Sequence, residues 1–176
     1  MFVTLVLGCD DHTSLEDPRV FRYNESAAIT SLDPAAARSL EHMWLVDQLY
    51  DGLVELGPDL SVLPCLARSW VFDESTLTYQ FHLRSDAFFT TGRLVDADDV
   101  VFSFERLRDP AVISSGGWIL DAVAPNGIVA VNDSTVEMTL KEPYPPFLGL
   151  LTTAYGSVVD RKAASLEGYS LRDSPC

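Results

Sequence analysis

Leu77-Thr-Tyr-Gln-Phe-His-Leu-Arg84, then Phe89-Thr-Thr-Gly92-Arg-Leu94, then Asp96-Ala-Asp-Asp-Val-Val-Phe-Ser-Phe-Glu-Arg-Leu107 is the stretch whose reading decides the fold. Its first piece alternates with period two. Tyr79, Phe81 and Leu83 share one face, and Thr78, Gln80, His82 and Arg84 share the other, which predicts a half-buried strand. Gly92 punctuates a turn. The last piece is a helix whose start is signalled by Asp96, which can accept from free backbone N–H groups. Asp99, three residues on, supplies a weak capping box and favourable charge in the first turn. Val100, Phe104 and Leu107 make one apolar face with Val101 at its edge, while Phe102 falls on the opposite side. A helix apolar on two sides is predicted to lie between the sheet and another element.

Towards the C-terminus, Asp109-Pro110 ends that helix. Ser114-Ser-Gly-Gly-Trp118 is a flexible segment in which Gly permits close backbone approach. Its one large aromatic serves either as a loop anchor in the core or as a ligand contact. Gly127 to Leu140 reads as a hairpin turning at Asn132-Asp133-Ser134, with Val129 and Val131 facing one way, as do Val136, Met138 and Leu140. Glu142-Pro-Tyr-Pro-Pro146 breaks the structure, Phe147 to Leu151 begins a short helix, and a polar tail runs to Cys176.

Towards the N-terminus, Arg19 to Tyr23 is a strand candidate, and Thr30 to Pro34 is a loop because Pro34 pushes Asp33 out of the helical region. A helix is predicted from Ala35 to Tyr50, with a core stripe of Met43, Val46, Leu49, Tyr50 and Leu53 and a stop at Asp51-Gly52. His42 near this stripe reads as a structural histidine. Leu53–Leu56 and Leu60–Leu63 are short extended pieces around Gly57-Pro58-Asp59. Pro64 to Trp70 is predicted as one helical turn leading into Val71-Phe72, followed by a turn at Asp73–Thr76.

The chain has 176 residues and a net charge of −14, from 12 basic against 26 acidic side chains. That balance argues against nucleic-acid and anionic-membrane-surface partners. No apolar run reaches the ~18–20 residues needed to cross a bilayer as a helix. Met1 to Gly8 followed by Cys9 looks like the end of a bacterial lipoprotein signal. Residues 1–9 are then a clipped signal with Cys9 lipidated, and residues 10–18 a polar linker; the other reading is an apolar N-terminal strand with a free cysteine. If Cys9 carries lipid, Cys65 and Cys176 remain available to pair. No metal is expected, since there is no C-x-x-C and His12, His42 and His82 stand alone. No nucleophile elbow, phosphate loop or H-E-x-x-H is present, so no enzyme activity and no cofactor are expected. Helix capping accounts for Asp96 and Asp99, and Asp98 should project to solvent.

Tyr50-Asp-Gly-Leu-Val54, Leu63-Pro-Cys-Leu-Ala-Arg-Ser-Trp70, Thr78 to Arg84, Gly92, Ala97 to Leu107, Asp109-Pro110, Asp133-Ser-Thr-Val-Glu-Met-Thr-Leu-Lys-Glu-Pro143 and the Pro-Pro-Phe-Leu run stand in series. Together they resemble the extracytoplasmic solute-binding proteins of family 5, the peptide- and nickel-binding receptors of ABC importers. Thr91 and Asp96 depart from the usual residues at the turn and the cap but keep small polar and capping chemistry. The resemblance runs from about Arg19 to Cys176. It implies an α/β fold of the periplasmic-binding-protein type II kind, with a mixed sheet and flanking helices. Residues 19–176 would be the N-terminal part of lobe I, truncated before the second lobe.

It further implies a substrate-binding component that captures oligopeptides or dipeptides outside the cytoplasmic membrane and hands them to ABC permease subunits. Such a protein would be a monomer in the periplasm or cell envelope, held to the membrane only by lipid. The family's ligand-lining segments map to Arg38, Ser39 and Leu40 and to Gly116, Gly117 and Trp118. Alternatives are a receptor for nickel or another small solute, a secreted hydrolase of mixed α/β fold, and a non-functional truncated gene product.

Overall fold

The computed structural model describes residues 29–166 and 170–172. The strand expected at Arg19–Tyr23, the Cys9 lipidation site and Cys176, which the sequence left available to pair with Cys65, lie outside the described residues; Cys65 is a free cysteine among those described. Two antiparallel units carry the strands. β1 (Val54–Leu56) and β2 (Val62–Pro64) form a small hairpin. β3 (Ala67–Asp73), β4 (Thr78–Leu83), β5 (Val123–Asn132) and β6 (Thr135–Leu140) form a sheet in the order β3-β4-β6-β5. Every strand pairing among the described residues is antiparallel, where a mixed sheet was expected. The reason is connectivity: β3–β4 and β5–β6 are each joined by a short turn, and the two hairpins meet along β4 and β6.

β4 alternates as its sequence demands. Tyr79, Phe81 and Leu83 are buried. On the outer face, Thr78 pairs with Thr139 through their hydroxyls at 3.0 Å, and Gln80 Nε2 donates to Glu137 Oε1 at 2.9 Å. Phe81, fully buried, alone contributes about 2–3 kcal/mol from the apolar area it removes from water.

Helix α1 spans Leu40–Leu49, α2 Ala97–Arg108, α3 Phe147–Leu150 and α4 Arg161–Ala164. The start of α2 is a full capping box. Asp96 Oδ1 accepts from Asp99 N at 3.1 Å, and Asp99 Oδ2 accepts from Asp96 N at 3.0 Å. Val100, Phe104 and Leu107 are buried, and α2 packs on β5 and β6 on one side and on α4 and the 3-10 turn Gly117–Leu120 on another. Ser103 ties the second contact, its Oγ accepting from Val159 N at 2.9 Å. Phe102 is half-buried and packed against the core, with the guanidinium of Arg106, one turn on in the same helix, 5.9 Å from its ring centroid.

Four local expectations need correction. The helix predicted from Ala35 begins at Leu40. Pro34–Ala36 is a separate 3-10 turn, and Ala37 is extended. The carbonyls of Ala35 and Ala37, which a continuous helix would use internally, instead accept from Ser115 N at 3.1 Å and Tyr155 Oη at 2.6 Å. On α1 itself, Val46 and Tyr50 are buried but Leu49 is 40% exposed. Pro64–Trp70 is extended rather than helical. The N–H groups of Cys65, Leu66 and Ala67 donate to the carbonyls of Leu53, Gly52 and Leu53, and β3 then pairs with β4. In the last hairpin, Val129 and Val131 are exposed. Val129 stands opposite Glu137 on the outer face, while Ile128 and Ala130 stand opposite Met138 and Val136 on the inner one.

Candidate functional site

Two loops far apart in sequence are tied together by one aromatic ring. The 3-10 turn Ala154–Gly156 places Tyr155 in the interior, where its hydroxyl donates to Ala37 O at 2.6 Å. Trp118 meets the same ring edge-on, with centroids 6.4 Å apart and planes at 81°. Gly116 lies flat against it. A Cβ built on Gly116 would fall 2.3 Å from Tyr155 Cγ, so the close approach requires glycine. A second clasp joins the loops directly, since Ala35 O accepts from Ser115 N at 3.1 Å and from Ser114 Oγ at 3.2 Å. Gly117 is constrained from the other side, where a Cβ would sit 2.8 Å from Leu107 O.

The six residues named from the sequence therefore come from neighbouring loops, but they do not play equal parts. Arg38 is exposed, Leu40 is 82% exposed and Trp118 is 51% exposed, so these three offer a guanidinium, an aliphatic chain and an indole to solvent. Ser39 is occupied as the N-cap of α1, its Oγ accepting from His42 N at 3.3 Å. Gly116 and Gly117 shape the backbone. Tyr155 was missed by sequence reasoning. It lies 118 positions from Ala37, and only its small neighbours, Ala154 and Gly156, hint that it is packed closely. Burial pushes the Tyr155 phenol up, partly offset by the charge of Arg38, so it acts as a neutral donor.

The aspartates at the start of α2 serve another purpose. Arg93 donates to Asp96 at 3.2 Å, to Asp160 at 2.6 Å and to the fully buried Asp99. Arg161 reaches Asp96 at 3.1 Å, Asp98 at 3.1 Å and Asp99 at 3.3 Å. The carboxylates that a metal ion would need are committed to two guanidinium groups. Burial alone would raise the Asp160 carboxyl. Hydrogen bonds from Arg93, Thr91 and the N–H groups of Ala163 and Lys162 outweigh it and hold the group at about 2. Asp96 is pushed up, by burial first and then by the charge of Asp99. The network thus fastens the Gly92 turn, α2 and α4 into one scaffold, and Asp98 points outward as predicted.

The model for bacterial extracellular solute-binding proteins, family 5, middle region, matches residues 61–172. The peptide transport periplasmic protein SapA of Salmonella typhimurium is 35% identical over 162 residues, which is 82% of this chain and 30% of that protein. The probable deoxycholate-binding periplasmic protein YgiS of Escherichia coli is 30% identical over 155 residues, 80% of this chain and 29% of that one. Among solved structures, Listeria monocytogenes OppA bound to peptide superposes with a TM-score of 0.77 at 27% identity, covering 82% of this chain and 31% of that one. The chain spans about three tenths of the length of the relatives it matches. With several ordered motifs, a family model covering well over half the chain and the same fold in a solved relative, this chain belongs to the bacterial extracellular solute-binding proteins of family 5.

Proposed function

We propose that this chain is part of the substrate-binding component of an ABC-type importer, which captures oligopeptides or dipeptides outside the cytoplasmic membrane and delivers them to permease subunits. The observation that carries this reading is the face built on Tyr155. There Tyr155 holds the Ala37 carbonyl through its hydroxyl and meets Trp118 with its ring, while Arg38, Leu40 and Trp118 keep their side chains open to solvent. An indole and an aliphatic chain suit varied ligand side chains, and a guanidinium suits a carboxylate. The names of relatives such as SapA and OppA support a peptide ligand. Binding is the role in this reading, as the family description and the relatives' names support.

In this reading residues 19–176 form part of the first lobe of a two-lobed clamp, and a second lobe completes the site by closing on the solute. The protein works as a monomer at the cell envelope, with Cys9 as its lipid anchor. A second reading, a receptor for a non-peptide solute, is favoured by the name of YgiS, which specifies deoxycholate; nickel is the further alternative within it.

The test is a thermal-shift and calorimetric screen of the complete gene product that carries this chain. Its arms are dipeptide and oligopeptide pools, deoxycholate and nickel. Stabilisation by a peptide pool, reduced in Trp118→Ala, is expected. Stabilisation by deoxycholate or nickel alone would replace the peptide reading with the second one.

A further inference from the structure

The ring of His42 lies outside the clasp around Tyr155, yet it fixes the start of the segment that leads into it. His42 stands in the first turn of α1, where its backbone N–H donates to Ser39 Oγ at 3.3 Å. Its side chain turns back on the chain that precedes the helix. Nε2 accepts from Thr30 N at 3.1 Å, across 12 positions. A ring nitrogen accepts only through a free lone pair, so Nε2 carries no proton and the proton of the neutral ring is on Nδ1. Nδ1 is buried and has no hydrogen-bond partner among the described residues. The ring therefore leaves one N–H unsatisfied while its other nitrogen holds Thr30.

Beyond Thr30 the segment has other fastenings. Leu32 N donates to Arg172 O at 2.7 Å, and Asp33 Oδ2 accepts from Arg106 Nη2 at 2.7 Å. The carbonyls of Ala35 and Ala37 are taken by Ser115 and Tyr155. Among these fastenings only the imidazole belongs to a side-chain type that changes charge between about pH 5 and about pH 8. A proton taken from solvent at Nε2 turns that acceptor into a donor, opposed to the Thr30 N–H, and the bond is lost. Release also lets both ring N–H groups reach water, which relieves the unsatisfied Nδ1–H. The charged groups about the ring are Arg38 and Glu41 on its own stretch of chain, Asp33 and Arg172, with Arg106 of α2 behind Asp33. Asp33 lines the same cavity as His42 but is committed to Arg106 rather than to the ring.

We propose that His42 is a proton-operated latch. Its neutral imidazole positions the segment from Thr30 to Asp33, and with it the loop that Tyr155 holds at Ala37; a proton at Nε2 frees the start of that segment. His42 is a positioning residue, acting through the segment and not on a solute. The latch stands on this geometry. Its effect on solute capture rests on the receptor reading, in which the protein works outside the cytoplasmic membrane and meets the pH of its surroundings.

Hydrogen exchange read by mass spectrometry on the complete gene product tests the latch at about pH 8 and about pH 5. The parent protein is compared with His42→Leu at each pH, so that intrinsic exchange rates cancel. At the higher pH residues 30–33 are expected to exchange roughly fivefold faster in the variant, and at the lower pH the two proteins should agree. Equal exchange at the higher pH, or a difference that persists at the lower one, overturns the latch. If circular dichroism shows the variant misfolded, the parent alone decides. Its protection over residues 30–33, corrected for intrinsic rate and referred to β4, should fall over the same span, and constant protection overturns the latch. Calorimetry with a randomised tripeptide pool tests the consequence. Affinity is expected to fall severalfold from the higher to the lower pH in the parent and to change less in His42→Leu. The same pH dependence in both proteins overturns the positioning role. If no pool binds at either pH, the peptide reading falls, and exchange still decides the latch.

Discussion

Arg93 and Asp160 stand 67 residues apart in the chain and meet at 2.6 Å, Nη2 to Oδ1, at the N-terminus of α2. The same guanidinium holds Asp99, which is fully buried, and Thr91 Oγ1 donates to Asp160 Oδ2 at 2.8 Å. A single side chain from the Gly92 turn therefore neutralises two buried carboxylates on two different helices.

Replacing Arg93 by Met should leave Asp99 and Asp160 buried without their main partner. Breaking one side of a buried pair costs about 3–5 kcal/mol, with the lower figure apt here because Arg161 still reaches Asp99. Urea unfolding followed by circular dichroism would measure it; a midpoint within error of the parent protein would contradict the scaffold role.

Acid should loosen the same joint. The Asp160 carboxyl is held at about 2 in the folded chain against 3.8 for an unperturbed aspartate. Between those values the unfolded chain binds the extra proton, so stability falls as pH drops from about 4 towards about 2. The loss is roughly 1–2 kcal/mol. Asp96, raised rather than lowered, works in the opposite direction. Asp160→Asn should flatten the acid limb of a stability-against-pH curve, and an unchanged limb would assign acid sensitivity elsewhere.

Gly116→Ala should be costly although Gly116 has φ −103, a conformation open to any residue. The new Cβ would meet Tyr155 at the Cβ and Cγ end of its side chain, where the ring cannot swing away. Overpacking of this kind costs about 1–3 kcal/mol. A lower melting temperature together with an altered near-ultraviolet signal from Tyr155 and Trp118 is expected. An unaltered signal would show that the ring is not so constrained.

Tyr155→Phe removes only the hydroxyl and leaves Ala37 O without its donor. The cost should be about 1–2 kcal/mol, and the 33–40 loop should exchange its amide hydrogens faster while the sheet does not. Hydrogen exchange read by mass spectrometry distinguishes this local loosening from global destabilisation.

Cys65 should be a sluggish thiol. Burial pushes it up to about 11, helped by the negative charges of Asp51 and Glu55. Two pH units above its ordinary value of 9.0 leave about a hundredfold less thiolate at pH 8. Iodoacetamide should therefore alkylate it slowly in the folded protein and at the normal rate in denaturant. Equal rates would remove the case for that environment.

Local signals were legible wherever one element dictates its own form. The period-two run of β4, the Asp96–Asp99 box, the Asn132–Ser134 turn and the two-sided apolar pattern of α2 follow from side-chain spacing and backbone capping. No distant residue is needed to read them. The ordered motifs also sufficed for the family, because their spacing survives at 30–35% identity.

What only the tertiary structure decided is where distant partners claim backbone groups. Ala35 and Ala37 would continue a helix on propensity alone, yet their carbonyls are taken by Ser115 and Tyr155. Cys65 to Ala67 would make a helical turn, yet their N–H groups are taken by Gly52 and Leu53. The candidate site has the same origin. Gly116 and Trp118 could be named from the chain, but the ring of Tyr155 that packs against them, and whose hydroxyl holds Ala37, comes from far along it. No local period encodes a contact whose two halves lie more than a hundred residues apart.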